Sequence, residues 1–393
     1  MQNKDLQKYS EAKISPSMRK KKLALLQKSL PNRLISWFSA HQRRLPWRQT
    51  TDPYSIWVSE IMLQQTQVAT VVPYFSRFIL RYPNVRRLAA APLEDVLSVW
   101  AGLGYYGRAM RLHGCAQSIC TYYNGQFPST RDELMALPGI GRYTAGAIAS
   151  IAFGESVPVL DGNVMRVLTR LLALPDDIAT AATRTMLWTL AEHLVPGAGA
   201  GTYNQAIMEL GATVCLPRNP LCSRCPVQGL CQARRQNLQS KLPVKTVARQ
   251  PHRSQCMAVV IEAAGKLLLL KRPPGGLWSS LWEFPTFHTA AQRHTPRYAA
   301  RTIQRALGFN VGSVRMIGTL SHQLTHRTFD YDIFLARMAA APQPVVLPEC
   351  DCGHYQDFAW VDTVADRPCA TITRKIAQAR KAQAGTASSA AKA

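Results

Sequence analysis

Two carboxylates and a group of thiols have the residue types and spacing to do chemistry. Glu60 lies in Tyr54-Ser55-Ile56-Trp57-Val58-Ser59-Glu60-Ile61-Met62-Leu63-Gln64-Gln65-Thr66-Gln67-Val68, a predicted helix whose first half is otherwise apolar. A lone glutamate on a helix is commonly a surface residue. Here Ile56, Trp57, Leu63 and Gln64 stand three and four positions away, so its face is partly apolar. Burial raises a carboxyl pKa and would keep Glu60 protonated, as a general acid must be. Asp161, in Leu160-Asp161-Gly162-Asn163, precedes the apolar-periodic run Val164 to Leu172 and reads first as a helix N-cap. A carboxylate in that place is also held ionised, which suits a reaction that builds positive charge beside it. Cys215, Cys222, Cys225 and Cys231 follow the spacing C-x6-C-x2-C-x5-C with no histidine among them. Such a bunching predicts one closed metal site, for which zinc and an iron–sulfur cluster are both chemically suitable.

The elements that must position these groups are helical up to the cysteines. Leu137-Pro138-Gly139-Ile140-Gly141 joins a helix over Arg131–Ala136 to another over Tyr143–Ala152. Glycines permit positive φ and bare the backbone, so amides in this turn can face a phosphate oxygen. An ordinary interhelical turn would look the same in isolation. A second glycine-flanked joint, Ala101-Gly102-Leu103-Gly104-Tyr105-Tyr106-Gly107-Arg108, carries two aromatics that either close a core or are offered to a base stack. Asn32 to Arg44 patterns as an amphipathic helix ended before Pro46, and residues 1–29 read as a basic, solvated extension. Residues 232–253, with Pro243, Pro251 and several lysines and arginines, read as a linker. Beyond it the pattern alternates: strands are expected over Cys256–Glu262, Lys266–Lys271, Ser313–Leu320, Thr328–Arg337 and Phe358–Val361, with helices over Arg297–Leu307 and from Thr371. The tail from residue 382 to 393 is expected to be disordered.

The 393 residues suggest two domains, and 47% hydrophobic residues suffice for packed cores. Lys and Arg number 47 against 23 Asp and Glu, a formal charge of +24. That excess attracts a polyanion, either nucleic acid or an acidic membrane surface. No apolar run is long enough to span a bilayer and the start shows no signal peptide, so a cytoplasmic, nucleoid-associated protein without a membrane partner is expected. Ten cysteines, four of them clustered, fit a reducing compartment better than a disulfide framework.

A helix-hairpin-helix followed by a glycine- and proline-containing loop and an aspartate resembles the endonuclease III-like superfamily of DNA glycosylases, and over roughly residues 32 to 370 the chain resembles its adenine-specific branch. The resemblance implies a multidomain chain: an all-α helix-hairpin-helix glycosylase domain over 30–231, with an iron–sulfur loop at 215–231, followed by an α+β Nudix-like domain over 254–381. The cysteine spacing is similar to that of the 4Fe-4S cluster of these enzymes, which have one C-x2-C pair where zinc sites commonly have two. The Nudix family's metal-binding glutamates are missing from Arg301-Thr302-Ile303-Gln304-Arg305-Ala306-Leu307-Gly308, so that domain is expected to read DNA and not to hydrolyse nucleotides.

By the same resemblance Glu60 protonates the leaving adenine and helps to activate water, Asp161 stabilises the sugar cation or bonds to it transiently, and Tyr143 and Asn163 position it. Strand-cutting relatives carry a lysine two residues beyond the hairpin's last glycine; Tyr143 stands there and cannot form an imine. Trp47, Arg48 and Gln205 resemble base-pocket residues. Gln65, Thr66, Leu103 and Tyr105 resemble the wedge at the vacated site, with Gly139 and Gly141 on the backbone. Leu320-Ser321-His322 resembles a Phe-Ser-His loop that recognises 8-oxoguanine, with leucine in place of the aromatic. The expected partner is duplex DNA carrying adenine opposite 8-oxoguanine or guanine, met by a monomer. The rival reading is a non-catalytic helix-hairpin-helix DNA-binding protein; retention of both Glu60 and Asp161 separates the two, for a binding module needs neither.

Overall fold

A computed structural model describes residues 16–246, 252–289, 294–324, 326–342 and 344–390. Two compact units emerge, one from residues 1–89 and 114–248, the other from 90–113 and 249–393.

The first unit is built from α1 (Pro16–His41), α2 (Pro53–Leu63), α3 (Val68–Arg81) and α4 (Val85–Ala89), and, past the excursion of α5 (Leu93–Trp100) and the start of α6 (Gly107–Tyr122), from α7 (Arg131–Met135), α8 (Arg142–Ala152), α9 (Gly162–Leu172), α10 (Ala181–Leu194), α11 (Ala200–Thr213) and α12 (Gln232–Arg235). Leu26, Leu30, Leu34 and Phe38 recur along α1 at helical spacing and pack with Val164, Val167, Leu168 and Leu171 of α9 and Tyr203, Ala206, Ile207 and Leu210 of α11. Each fully buried Leu, Val, Ile or Phe among them contributes roughly 1.5–3 kcal/mol of burial free energy.

Glycines set how closely these helices approach. A Cβ on Gly201 of α11 would stand 2.4 Å from the Ser150 carbonyl of α8, and one on Gly211 would stand 2.6 Å from the Asn163 Cβ at the start of α9. Neither position tolerates a side chain without moving a helix.

The structure corrects several expected boundaries. The α1 helix begins at Pro16, well inside the presumed 1–29 extension, and runs through Pro31. The buried Leu26 and Leu30 continue the stripe of Leu34 and Phe38, so the core anchors what the charge run suggested was solvated. The Glu60 helix stops at Leu63, not Val68, because Gln65 takes a left-handed φ of 57° before α3 starts. Residues 232–242 are not linker: α12 forms there, Leu238 and Leu242 are buried with Ala233, and Arg170 Nε donates to the Leu242 carbonyl at 2.9 Å. The stretch 247–251 of the expected linker lies outside the described residues.

In the second unit a seven-stranded sheet runs β3-β2-β1-β6-β5, with β4 also pairing β1 and β9 pairing β2. The strands are β1 (His252–Ala263), β2 (Lys266–Lys271), β3 (Trp282–Glu283), β4 (Thr286–Thr289), β5 (Ser313–Gln323), β6 (Arg327–Met338) and β9 (Asp357–Val361). A separate two-stranded hairpin is formed by β7 (Glu349–Cys350) and β8 (Gly353–His354). The β1–β6 pair is parallel, from His252 opposite Arg327 to Ala263 opposite Met338. Helix α13 (Pro296–Leu307) brings Ala299, Ile303 and Leu307 into one core with Met257, Val259 and Ile261, alternate residues of β1.

Helix α14 spans Thr371–Ala390, so the expected disordered tail is helical as far as 390, and only 391–393 lie outside the described residues. The segment 90–113 is held within this unit by Glu94, which accepts from Trp282 Nε1 at 2.9 Å and pairs with Lys271 and Arg367, each at 3.4 Å. The Tyr106 hydroxyl adds a bond to the Cys369 carbonyl at 2.9 Å.

Candidate active site

Five chain segments of the first unit converge on a cavity of about 500 Å³. Helix α2 brings Glu60, the first turn of α8 brings Tyr143, the start of α9 brings Asp161 and Asn163, and α11 brings Gln205, Met208 and Glu209. Trp47 and Arg48, on a single helical turn over Pro46–Arg48, line it as well, as do Gln65 and Thr66 beyond the end of α2. Seven residues singled out as catalytic or base-pocket candidates in the sequence therefore line one cavity: Glu60, Tyr143, Asp161, Asn163, Trp47, Arg48 and Gln205.

Glu60 is 6% exposed, and its Oε2 accepts from the Tyr143 hydroxyl at 2.6 Å. Burial pushes the Glu60 carboxyl up to about 7; the Tyr143 hydrogen bond pulls it down, the nearby Asp161 charge pushes it up, and Arg48 pulls it down. At neutral pH the group is thus close to half protonated and can give or take a proton. Burial likewise drives the Tyr143 hydroxyl well above its ordinary range, with Glu60 and Asp161 adding to it, so the phenol stays neutral.

Asp161 caps α9, its Oδ1 accepting from the Val164 amide at 2.7 Å and its Oδ2 from Asn163 Nδ2 at 2.8 Å. Burial raises its carboxyl more than the Val164 and Asn163 bonds and the Arg166 charge lower it, so its net shift is upward.

Two features, one in the cavity and one behind it, were not foreseen. Glu209, whose carboxylate is wholly buried, takes Arg43 Nη2 at 2.7 Å and Arg48 Nη2 at 2.8 Å. Burial alone would raise that carboxyl, but the hydrogen bonds and charges of the two arginines bring it down to about 2. Its position four residues after Gln205 on one helix was the available sequence signal; its partners lie more than 160 residues away. The second feature is Arg166, which donates to Asn163 Oδ1 at 2.9 Å, the Gly211 carbonyl at 2.7 Å and the Cys215 carbonyl at 2.8 Å. One hydrogen-bonded path thus leads from Asp161 through Asn163 and Arg166 to the cysteine loop.

That loop places Cys215, Cys222, Cys225 and Cys231 around a common space, beside Arg170. No three of the four sulfurs lie within 4.8 Å of one another. Sulfurs on one zinc ion, at 2.3 Å from the metal, would stand about 3.8 Å apart. The wider set suits a multi-iron cluster. Arg170 Nη1 donates to Cys215 Sγ at 3.3 Å and to the Leu216 carbonyl at 2.7 Å, a cationic partner for a thiolate ligand.

In the hairpin only Gly139 requires glycine's freedom, with φ of 82°. Gly141 caps α8 with an extended φ of −91°, and nothing lies within 4 Å of where its Cβ would be, so its contribution is an open approach to the backbone. Among the remaining candidates, Leu103 and Tyr105 belong to the second unit. Of the two aromatics, Tyr106 is 5% exposed and takes the core alternative, whereas Tyr105 is 49% exposed with φ of 49°; Leu103, expected in the wedge, is 5% exposed. Leu320, Ser321 and His322 are not in a loop but on β5, opposite Tyr331, Asp330 and Phe329. Strand alternation puts Ser321 on the face away from Leu320 and His322. His322 meets Trp278, ring centroids 6.1 Å apart, in a cavity of about 580 Å³ that Tyr105 also lines.

Residues 58–193 match the HhH-GPD superfamily of base excision DNA repair proteins, 215–231 the iron–sulfur binding domain of endonuclease III, and 256–379 the NUDIX domain. These matches define a base excision DNA glycosylase with an iron–sulfur loop and a Nudix-like second domain, and the cysteine loop is the seat of a 4Fe-4S cluster. Adenine DNA glycosylase of Homo sapiens is 38% identical over 372 residues, 80% of this chain and 68% of its own, and that of Mus musculus is 36% identical over 83% and 74%. The Buchnera aphidicola (Schizaphis graminum) protein of the same name is 37% identical over 65% of this chain and 74% of its own. The solved structure of a thermostable thymine-DNA glycosylase is 28% identical, with a TM-score of 0.49 over 54% of this chain and 98% of the other. The chain belongs to the adenine DNA glycosylase family.

Proposed function

We propose that this chain hydrolyses the N-glycosidic bond of adenine opposite 8-oxoguanine or guanine in duplex DNA, and leaves the strand uncut. The observation that carries it is a buried Glu60, raised to about 7 and hydrogen-bonded to Tyr143, in one cavity with Asp161. Adenine inside a duplex is out of reach of these groups, so the base is turned out into the cavity. Glu60 gives its proton to a ring nitrogen of the adenine, and the C1′–N bond breaks with its electron pair leaving on the base. Asp161 faces the sugar cation, which has most need of a carboxylate at that moment. Water adds to C1′ and its proton returns to the Glu60 carboxylate. Tyr143 offers a phenol where an imine would need an amine, so no covalent link to the sugar forms through it. The cluster, when bound, supplies a rigid crosslink of the loop that Arg166 and Arg170 grip.

Single-turnover excision on a duplex carrying adenine opposite 8-oxoguanine tests the reading. Base release is expected, with strand scission appearing only after alkali and no borohydride-trapped adduct. Glu60→Gln should slow release by about 10² to 10⁴-fold while mispair binding persists. Near-normal release by that variant would remove Glu60 from the mechanism, and duplex binding without any base release by the wild-type chain would overturn the proposal in favour of the non-catalytic DNA-binding alternative.

A further inference from the structure

The turn of the β7–β8 hairpin carries Cys350-Asp351-Cys352 ahead of Gly353, a left-handed residue with φ of 126°. The two sulfurs stand 3.3 Å apart. Among the described residues this is the one set of three or more His, Cys, Asp or Glu whose ligand atoms all lie within 4.8 Å. A fourth group faces it from the sheet. His288 of β4 turns Nε2 toward Asp351 Oδ2 at 3.8 Å, and its Nδ1 meets Cys256 Sγ at 3.5 Å across the β1–β4 pair. An imidazole whose Nδ1 hydrogen is directed to a neighbour presents Nε2 as the unprotonated, ligating nitrogen.

We propose that Cys350, Cys352, Asp351 and His288 form a structural zinc site in the Nudix-like domain, separate from the iron–sulfur loop. Two thiolates exclude the hard cations of Nudix hydrolases and favour a borderline or soft metal. Tetrahedral zinc needs sulfurs about 3.8 Å apart, so the pair opens by about half an ångström. Asp351 keeps both of its roles, because Arg272 is bonded to Oδ1 and leaves Oδ2 on the His288 side. Arg272 itself is 1% exposed, donates to Cys352 Sγ at 3.0 Å and is neutralised by Glu283 at 2.7 Å. Its charge is thereby balanced by Glu283 and Asp351, so it leaves the site no net surplus of positive charge.

The site touches the loop that frames the cavity of Trp278 and His322. A Cβ on Gly276 would lie 2.9 Å from Cys352 Cβ, and Arg272 Nε donates to the Leu277 carbonyl at 3.0 Å. A metal that fixes the hairpin thus fixes the wall on which Trp278 stands.

The test is zinc titration of the full chain with its cluster intact, reported by a chromophoric chelator, with iron counted in the same samples. One zinc should bind tighter than about 1 µM with no loss of iron, and raise the melting temperature. The double variant Cys350→Ser/Cys352→Ser should weaken binding at least about 100-fold, and His288→Ala, which leaves the hairpin turn unaltered, about 10 to 100-fold. Zinc bound equally by both variants, zinc bound only as iron is lost, or no binding at this level would each overturn the proposal. So would a thiol count showing Cys350 and Cys352 joined as a disulfide in freshly purified protein.

Discussion

Glu60 holds its proton toward neutrality because burial penalises the carboxylate more than the Tyr143 hydroxyl supports it. Its native pKa, about 7, lies above the ordinary 4.5 of the unfolded chain. The folded state therefore binds that proton more tightly, and stability is lost as pH rises from about 4.5 to about 7. The loss approaches about 3–4 kcal/mol, from the rise of the carboxyl from 4.5 to about 7 at 1.36 kcal/mol per pH unit. Glu60→Gln removes this cost, so the variant should melt higher than wild type at pH 8, with the gap closing at pH 5. Thermal melts across that range decide the point, and equal melting at pH 8 would mean that Glu60 is solvated. The excision rate of wild type should fall about tenfold per pH unit above pH 7 as the acid is lost. At Asp161, Asn keeps a cap acceptor and Ala does not. Asp161→Ala should therefore cost about 1 kcal/mol more in stability than Asp161→Asn in a denaturant titration, while both lose excision.

At the scale of elements, three helices meet the cavity through contacts where no side chain fits. Gly211→Ala presses its methyl onto Asn163, which shares a hydrogen bond with Asp161. A shift of the α9 start by even part of an ångström misplaces Asp161, so excision should drop by roughly ten to a hundredfold. Nonspecific DNA binding of the same variant should be unchanged. Gly201→Ala meets the Ser150 carbonyl instead and should cost about 1–3 kcal/mol in denaturant unfolding. Such glycines were invisible in the sequence, since nothing local distinguishes a helical glycine that packs from one that does not. What was legible came from local periodicity and fixed ligand spacing: α2, α8, α9, the cysteine loop and the long strands. The start of α1 was hidden because the charges at Arg19–Lys22 precede Leu26 and Leu30, and only the distant α9, α10 and α11 make those leucines core. Short β3, β4, β7 and β8 were missed because two to four residues carry too little alternation to register. Glu209 was missed because its meaning resides in Arg43 and Arg48, and Leu320-Ser321-His322 was misplaced because strand pairing with β6 overrides the resemblance to a loop.

Over the whole molecule a formal charge of +24 faces a polyanion. Affinity for undamaged duplex should fall linearly with salt on a double-logarithmic plot, with a slope of about −0.9 per phosphate contacted. A flat response in a fluorescence anisotropy titration would remove nucleic-acid backbone as the target of that charge. Inside the cavity the ions behave otherwise. The Glu209 carboxylate is itself wholly buried, held by an Arg48 that is 11% exposed and an Arg43 that is 37% exposed, so dissolved ions do not reach its oxygens. Ionic strength then acts on how long the enzyme stays on a duplex and not on what happens to a base already seated. With enzyme in large excess, the plateau rate of a single turnover should stay level from low to moderate salt while the concentration needed to reach it climbs. Search and reaction in this chain are thereby placed under separate control, and the medium sets the tempo of only the first.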